Sequence, residues 1–349
     1  MKGLREMMGW LVLLALVVPA GGVNVTSLGT KHSDISAGFR HGTPDFGCWV
    51  FTHTKKAGGS TVRSMLYKII KHIIPPLSGY AVFDDFQWKS GQKYSEKYRR
   101  RNNTVMWGGH TEGLRRFEAP RICKWFTTFR HPVSRVVSAY LYCQRNSRDT
   151  LCASMVLKAD TTDLITFAKH WGNFGLRQMS LGFIVPEEVM AAHVDDSVCT
   201  LDGENICPAW YRLKLFLQSK ANETAQIEGE SATTVVGGSK VYELWMHRFL
   251  RPVQEVLSSK YAAVGLVEQW DKSMNLFNKA LKVPNFDWST TSGSMGRTNA
   301  NTHTEVEQAQ LLSRSWWDPE LRSVLWLDIL LYDYAVSIFN RQIDEYGVV

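Results

Sequence analysis

Residues 48–61 read CWVFTHTKKAGGST, and this stretch decides the fold. Cys48 through His53 form a short apolar run, the composition of a buried strand. Two lysines and the pair Gly58-Gly59 follow, then a helical pattern from about Ser60 to Ile74 that Pro75-Pro76 stops. A strand, a glycine-rich turn and a helix in that order make a phosphate cradle. The helix N-terminus offers unpaired N–H groups and a positive dipole end, and the glycines let the backbone approach an anion. Lys56 adds a compact charge, and Ser60 and Thr61 add hydroxyl donors. The lysines precede the glycines, whereas a Walker loop places its lysine after them. A nucleotide kinase of that type is therefore disfavoured.

Short strands and helices alternate outward from this point. Residues 104–107 read as a strand ending in Gly108-Gly109-His110, and residues 124–129 as a third strand. Pro132 then opens a helix to about Tyr142, at the first turn where proline is tolerated. Residues 161–182 are predicted as one helix, and 242–258 as a helix interrupted or kinked at Pro252. A strand over 261–267 and a helix over 270–282 follow. Residues 219–240 are polar and read as an exposed insertion. Residues 288–304 are rich in Ser, Thr, Asn and Gly and read as a loop, after which the chain is helical. This alternation implies an α/β fold with a central, mainly parallel sheet flanked by helices.

A second stretch carries chemistry. The third strand runs into Phe129-Arg-His-Pro-Val-Ser-Arg-Val-Val-Ser-Ala-Tyr140. Arg130 lies at the strand end, and Ser134 and Ser138 share one helix face. An arginine and a serine so placed can grip a second phosphate at the carboxyl edge of the sheet, where open α/β sheets bind ligands.

Composition bounds the partners. Of 349 residues, 44% are hydrophobic and 21% charged, which excludes wholesale disorder and fibrous architectures. The net charge of +7 favours an anionic ligand or surface, yet falls short of what a binder of nucleic-acid backbone carries. The N-terminus, MKGLREMMGWLVLLALVVPAGGV, has a basic start, an apolar middle and small residues after it. That is either a cleaved secretory signal or a short uncleaved anchor over 1–23. A Gly/Ser/Thr-rich stem over 24–46 follows, and the folded domain spans 47–349. Six cysteines and sequons at Asn24, Asn102 and Asn222 agree with a luminal compartment. Close spacing favours pairing Cys143 with Cys152 and Cys199 with Cys207, leaving Cys48 and Cys123.

The two phosphate-type stretches resemble a known family. HTKKAGGST is similar to the 5′-phosphosulfate loop of sulfotransferases, especially the HxxKTGGT form of the Golgi heparan-sulfate 2-O- and 6-O-sulfotransferases. FRHPVSRVVSAY is similar to their 3′-phosphate motif, LRDPVSRxxSxY. Ala57 stands where the family often has threonine, and His131 where it usually has aspartate. MWGGHTEGL, NFGLRQMSLG, AAVGLVEQWDKSMNLF and LDILLYDYAVSIF resemble further family segments in the same order, so the likeness spans roughly 48–340.

The resemblance implies a sulfotransferase fold and 3′-phosphoadenosine 5′-phosphosulfate (PAPS) as donor, with a sulfuryl group passing to a carbohydrate hydroxyl and no metal. It implies that the loop of Lys56, Ala57, Gly58, Gly59, Ser60 and Thr61 holds the 5′-phosphosulfate. Lys55 would point to solvent. Arg130 and Ser138 would hold the 3′-phosphate, with Arg297 and Thr298 as further donor contacts. His110 is the expected general base, since an ordinary histidine pKa near 6.5 suits a Golgi-like pH. Glu112 would orient it or act as the base itself. Asn173 and Arg177 either line an acceptor cleft or serve packing. The basic run Lys93, Lys97 and Arg99-Arg100-Arg101 is either a solvated face or a contact for an acidic glycan. The expected partner is a glycan, with membrane attachment through the N-terminus if it is uncleaved. Two other readings stay open: sulfation of a protein tyrosine or small alcohol, and a glycan-binding pseudoenzyme.

Overall fold

Parallel strands form the centre of the computed structural model. It describes residues 48–69, 80–83, 105–108, 123–146, 152, 163–171, 173–183, 200–201, 204–205, 240–283, 285–295 and 302–349. The sheet contains β1 (Cys48–Thr52), β2 (Tyr80–Phe83), β3 (Val105–Gly108), β4 (Cys123–Phe129) and β7 (Tyr261–Leu266). Their order is β2-β3-β1-β4-β7, and every neighbouring pair is parallel. Thr52 is in register with Gly108 on one side and Thr127 on the other. The C-terminal ends of β1, β3 and β4 therefore open onto one edge. A two-stranded antiparallel pair, β5 (Thr200–Leu201) and β6 (Glu204–Asn205), stands apart.

The helices are α1 (Gly59–Lys68), α2 (Pro132–Arg145), α3 (Leu164–Trp171), α4 (Phe174–Phe183), α5 (Lys240–Lys260), α6 (Trp270–Leu281), α7 (Trp288–Met295), α8 (Thr302–Ser315), α9 (Pro319–Val324) and α10 (Trp326–Glu345). They flank the sheet, and the arrangement is an α/β fold. Phe51 and Phe126 of the strands pack with Val62, Met65 and Leu66 of α1 and with Met274 and Phe277 of α6. Continuous burial of this kind is expected where helices cover a parallel sheet.

Two sequence expectations are corrected and a third is narrowed. The stretch 161–182 is not one helix: Asn173, at φ +53°, separates α3 from α4. Asparagine is among the few side chains that tolerate the left-handed region. Of the two readings at Pro252, interruption is excluded: one helix, Lys240–Lys260, contains the proline and passes straight into β7 at Tyr261. The stretch 288–304 is not all loop, because residues 288–295 are helical. Asp287 starts that helix, its Oδ1 accepting from the Thr290 N–H at 2.9 Å. Trp288 then anchors it, fully buried with ring centroids 5.5 Å from Phe126 and 5.6 Å from Phe277.

The Cys143–Cys152 disulfide is present as spacing favours. Cys48 and Cys123 are backbone partners in the register of β1 and β4. Cys199, Cys207, the three sequons, the basic run at 93–101, residues 1–47 and most of the 219–240 insertion lie outside the described residues. Among the described residues no helix is long and apolar enough to cross a membrane.

Candidate functional site

The turn between β1 and α1 is bound from three directions. From β4, Thr128 Oγ1 donates to the Ala57 carbonyl at 2.6 Å and Thr127 Oγ1 donates to the Thr52 carbonyl at 2.8 Å. From the end of the same strand, Arg130 Nη1 donates to the Lys56 carbonyl at 3.4 Å. From α4, Gln178 Nε2 donates to the His53 carbonyl at 2.7 Å, and Gln178 Oε1 accepts from the Lys55 N–H at 3.2 Å. The two sequence stretches singled out for phosphate therefore meet at one sheet edge.

Local backbone geometry shapes the turn. Ala57 N–H closes it onto the Thr54 carbonyl at 3.2 Å. Lys56 (φ +61°) and Gly58 (φ +75°) both take the left-handed conformation, and Gly58 is the N-cap of α1. That region is open to glycine and strained for lysine. Among the described residues, the N–H groups of Gly58, Gly59 and Ser60 meet no protein acceptor. They are the orphan donors that every helix start presents.

The glycines also serve a purpose that the sequence does not reveal. A Cβ on Gly58 would lie 2.8 Å from the Trp270 ring, and one on Gly59 only 1.8 Å from His53 Cδ2 and 2.0 Å from its Nε2. These two positions stay bare so that a tryptophan and an imidazole can pack against the turn.

The electrostatics are those of a cationic turn. The His53 pKa falls to about 3, first because burial penalises the charged ring, then because Lys55, Arg63 and Lys56 lie near. The imidazole is thus neutral within a positive field. Lys56 places its ammonium 3.3 Å from the centroid of the Tyr142 ring, a cation–π contact with α2. Ser138 lies one turn before Tyr142 and shares that face.

Of the predicted donor-site residues, Lys56, Ala57, Gly58, Gly59, Ser60, Thr61, Arg130 and Ser138 are described, and they belong to the turn, the strand end and the facing helix. His110, Glu112, Arg297 and Thr298 lie outside the described residues. Lys55 is corrected: it is buried, not solvent-facing. Of the two readings of Asn173 and Arg177, the contacts agree with packing. Asn173 Oδ1 accepts from the Asp328 N–H at 3.0 Å, and Arg177 Nη2 donates to the Trp171 carbonyl at 2.6 Å. Both side chains are buried. His131, which stands in the second motif, turns its ring away to stack on Trp316 at 4.1 Å. Burial and then Arg322 lower its pKa to about 4.

Sequence reasoning missed Gln178, His53, Thr127 and Thr128. The threonines are flagged only by their position at the end of an apolar strand. Gln178 was quoted within NFGLRQMSLG, but nothing local says which way it points. No protein-family model matches this chain, and no curated protein matches it.

Proposed function

We propose that the chain is a PAPS-dependent O-sulfotransferase of the secretory pathway, a Golgi-type enzyme with a sulfotransferase fold and a carbohydrate acceptor. The observation that carries this reading is the meeting of the HTKKAGGST turn and the FRHPVS stretch, joined by Arg130 on the Lys56 carbonyl. Each stretch offers groups suited to one phosphate, and two phosphate positions on one nucleotide distinguish this donor from ATP or ADP.

The described residues fit such a ligand. Orphan N–H groups of Gly58, Gly59 and Ser60, the hydroxyls of Ser60 and Thr61, and the Lys56 ammonium suit the 5′-phosphosulfate. Arg130 and Ser138 suit the 3′-phosphate. The donor supplies an activated sulfuryl group for in-line transfer. Lys56 and the N–H groups stabilise the charge that develops on the departing phosphate oxygen. To do so the ammonium leaves the Tyr142 ring, a modest cost for a partly exposed cation–π pair. The proton of the acceptor hydroxyl goes to His110 in this reading, with Glu112 orienting it or acting in its place. Arg297 and Thr298 are assigned to the donor by the sequence resemblance alone. The Cys143–Cys152 bridge agrees with an oxidising lumen. The acceptor is assigned as a polysaccharide, and the N-terminal segment as a signal or type II membrane anchor.

The test is thermal unfolding of the disulfide-intact protein with adenosine 3′,5′-bisphosphate, using AMP and ATP as controls. At about 100 times its dissociation constant a ligand adds about 2.7 kcal/mol, a rise on the order of 5 °C for a domain this size. A rise confined to the bisphosphate supports the donor site. No rise in a folded sample overturns it and leaves a glycan-binding protein without turnover.

A further inference from the structure

We propose that Gln178 is a positioning residue for this turn: its side-chain amide continues the parallel sheet past the end of β1, and the affinity of the turn for a bisphosphorylated nucleotide depends on it. The second half of that statement rests on the donor-site reading above.

The β1 ladder ends at Thr52, paired with Gly108 and Thr127. Two residues on, Gln178 Nε2 takes the His53 carbonyl and Gln178 Oε1 takes the Lys55 N–H. These are the backbone groups on either side of Thr54. A residue of a neighbouring parallel strand bonds its partner in the same way, to the carbonyl before and the N–H after. One side chain thus substitutes for one strand residue. On the opposite side, the Thr54 hydroxyl lies 3.3 Å from that of Thr127. Thr54 is therefore held between a real strand and a surrogate one.

The amide is 1% exposed, so water cannot replace it. Losing it removes one bond from the part-buried His53 carbonyl and one from the buried Lys55 N–H, and removing one partner of such a bond costs more than the bond itself contributes. The released segment includes Lys55 and abuts Lys56, whose left-handed backbone persists only while its surroundings over-determine it. Gln178 itself is fixed because its helix is seated. Asp328 Oδ2 and Oδ1 accept from the Gly175 and Leu176 N–H groups at 3.0 and 2.8 Å.

The experiment uses the full chain and two near-isosteric variants, Gln178→Met and Gln178→Glu. Two readouts are taken: backbone amide exchange at Lys55, and calorimetric binding of adenosine 3′,5′-bisphosphate. In wild type the Lys55 amide should be protected to the level of α4. In Gln178→Met it should exchange at least about tenfold faster, while α6 and α10 remain protected, and the bisphosphate Kd should rise about tenfold or more. In Gln178→Glu the ionised carboxyl accepts from Lys55 but cannot donate to the His53 carbonyl. Its affinity deficit should shrink as pH falls and the introduced carboxyl gains a donor proton, a recovery that a packing defect would not show.

Unchanged Lys55 exchange in a folded variant overturns the proposal, as does an unprotected Lys55 amide in wild type. Accelerated exchange with an unchanged bisphosphate Kd overturns the link to affinity. If Gln178→Met does not fold, Gln178→Glu and the wild-type exchange decide. If wild type binds no bisphosphate, the donor-site reading fails, and the exchange data still decide whether Gln178 holds the turn.

Discussion

Asp328 of α10 and Arg135 of α2 form a buried ion pair, and the same carboxylate caps the start of α4 through Gly175 and Leu176. One carboxylate thus fixes the helix that follows Arg130 and the helix that carries Gln178. A Cβ on Gly175 would sit 2.4 Å from Arg135 Nη1, so the close approach requires glycine there. Asp328→Asn keeps the volume and strands the guanidinium. Unfolding in urea should show a loss of about 3–5 kcal/mol. A loss below about 1 kcal/mol would mean the pair does not hold these helices.

Gly59→Ala puts a methyl group into the His53 imidazole. We expect a loss of about 1–3 kcal/mol, the usual cost of overpacking a filled site. His53→Ala should relieve most of it, so the double variant should be more stable than additivity predicts. Additive losses in the urea midpoints would show that the collision is absorbed elsewhere.

Stability should decline on acidification. His53 stays neutral to about pH 3 and His131 to about pH 4 in the folded protein, against 6.5 for an ordinary histidine. Below pH 6.5 the unfolded chain therefore binds protons that the folded chain refuses. The contribution of both groups is complete above pH 6.5 and is lost as pH falls toward about 4 for His131 and about 3 for His53. His131→Phe keeps an aromatic ring against Trp316 and removes one of the two protons. Its pH profile of unfolding free energy should be flatter than that of wild type between about pH 4 and 6.5. An unchanged slope would place the linkage on other groups.

On the proposed function, Lys56→Ala should reduce sulfuryl transfer by about a hundredfold or more, the scale of losing a preorganised donor to developing charge. Arg130→Ala should weaken adenosine 3′,5′-bisphosphate far more than AMP. Equal losses for the two nucleotides, measured by calorimetry, would remove Arg130 from the 3′-phosphate.

The turn at 53–61 and the arginine at the end of β4 were legible because each rests on a local pattern: an apolar strand, a glycine pair, a proline at a helix start. What was not legible depends on contacts between distant segments. Gln178 could be read as any polar residue on a helix until its helix was placed against the turn. Lys55 looks like a surface lysine because its neighbour Lys56 has the same chemistry, and only tertiary packing tells them apart. The break at Asn173 and the helix begun by Asp287 did carry local signals, a Gly-Asn pair and an aspartate cap. Those signals lost to the broader hydrophobic pattern in one case and to the Ser/Thr-rich composition in the other.

The long reach of the bonds around the turn has a consequence for biosynthesis. Thr128 reaches Ala57 across 71 residues, and Gln178 reaches His53 across 125. A chain emerging N-terminus first exposes HTKKAGGST well before either partner exists. At about 5–20 residues per second, the wait for Gln178 is roughly 6–25 s. The geometry of the turn is therefore a late product of translation, and on the proposed function a nascent chain captures no nucleotide until the sheet edge has closed around it.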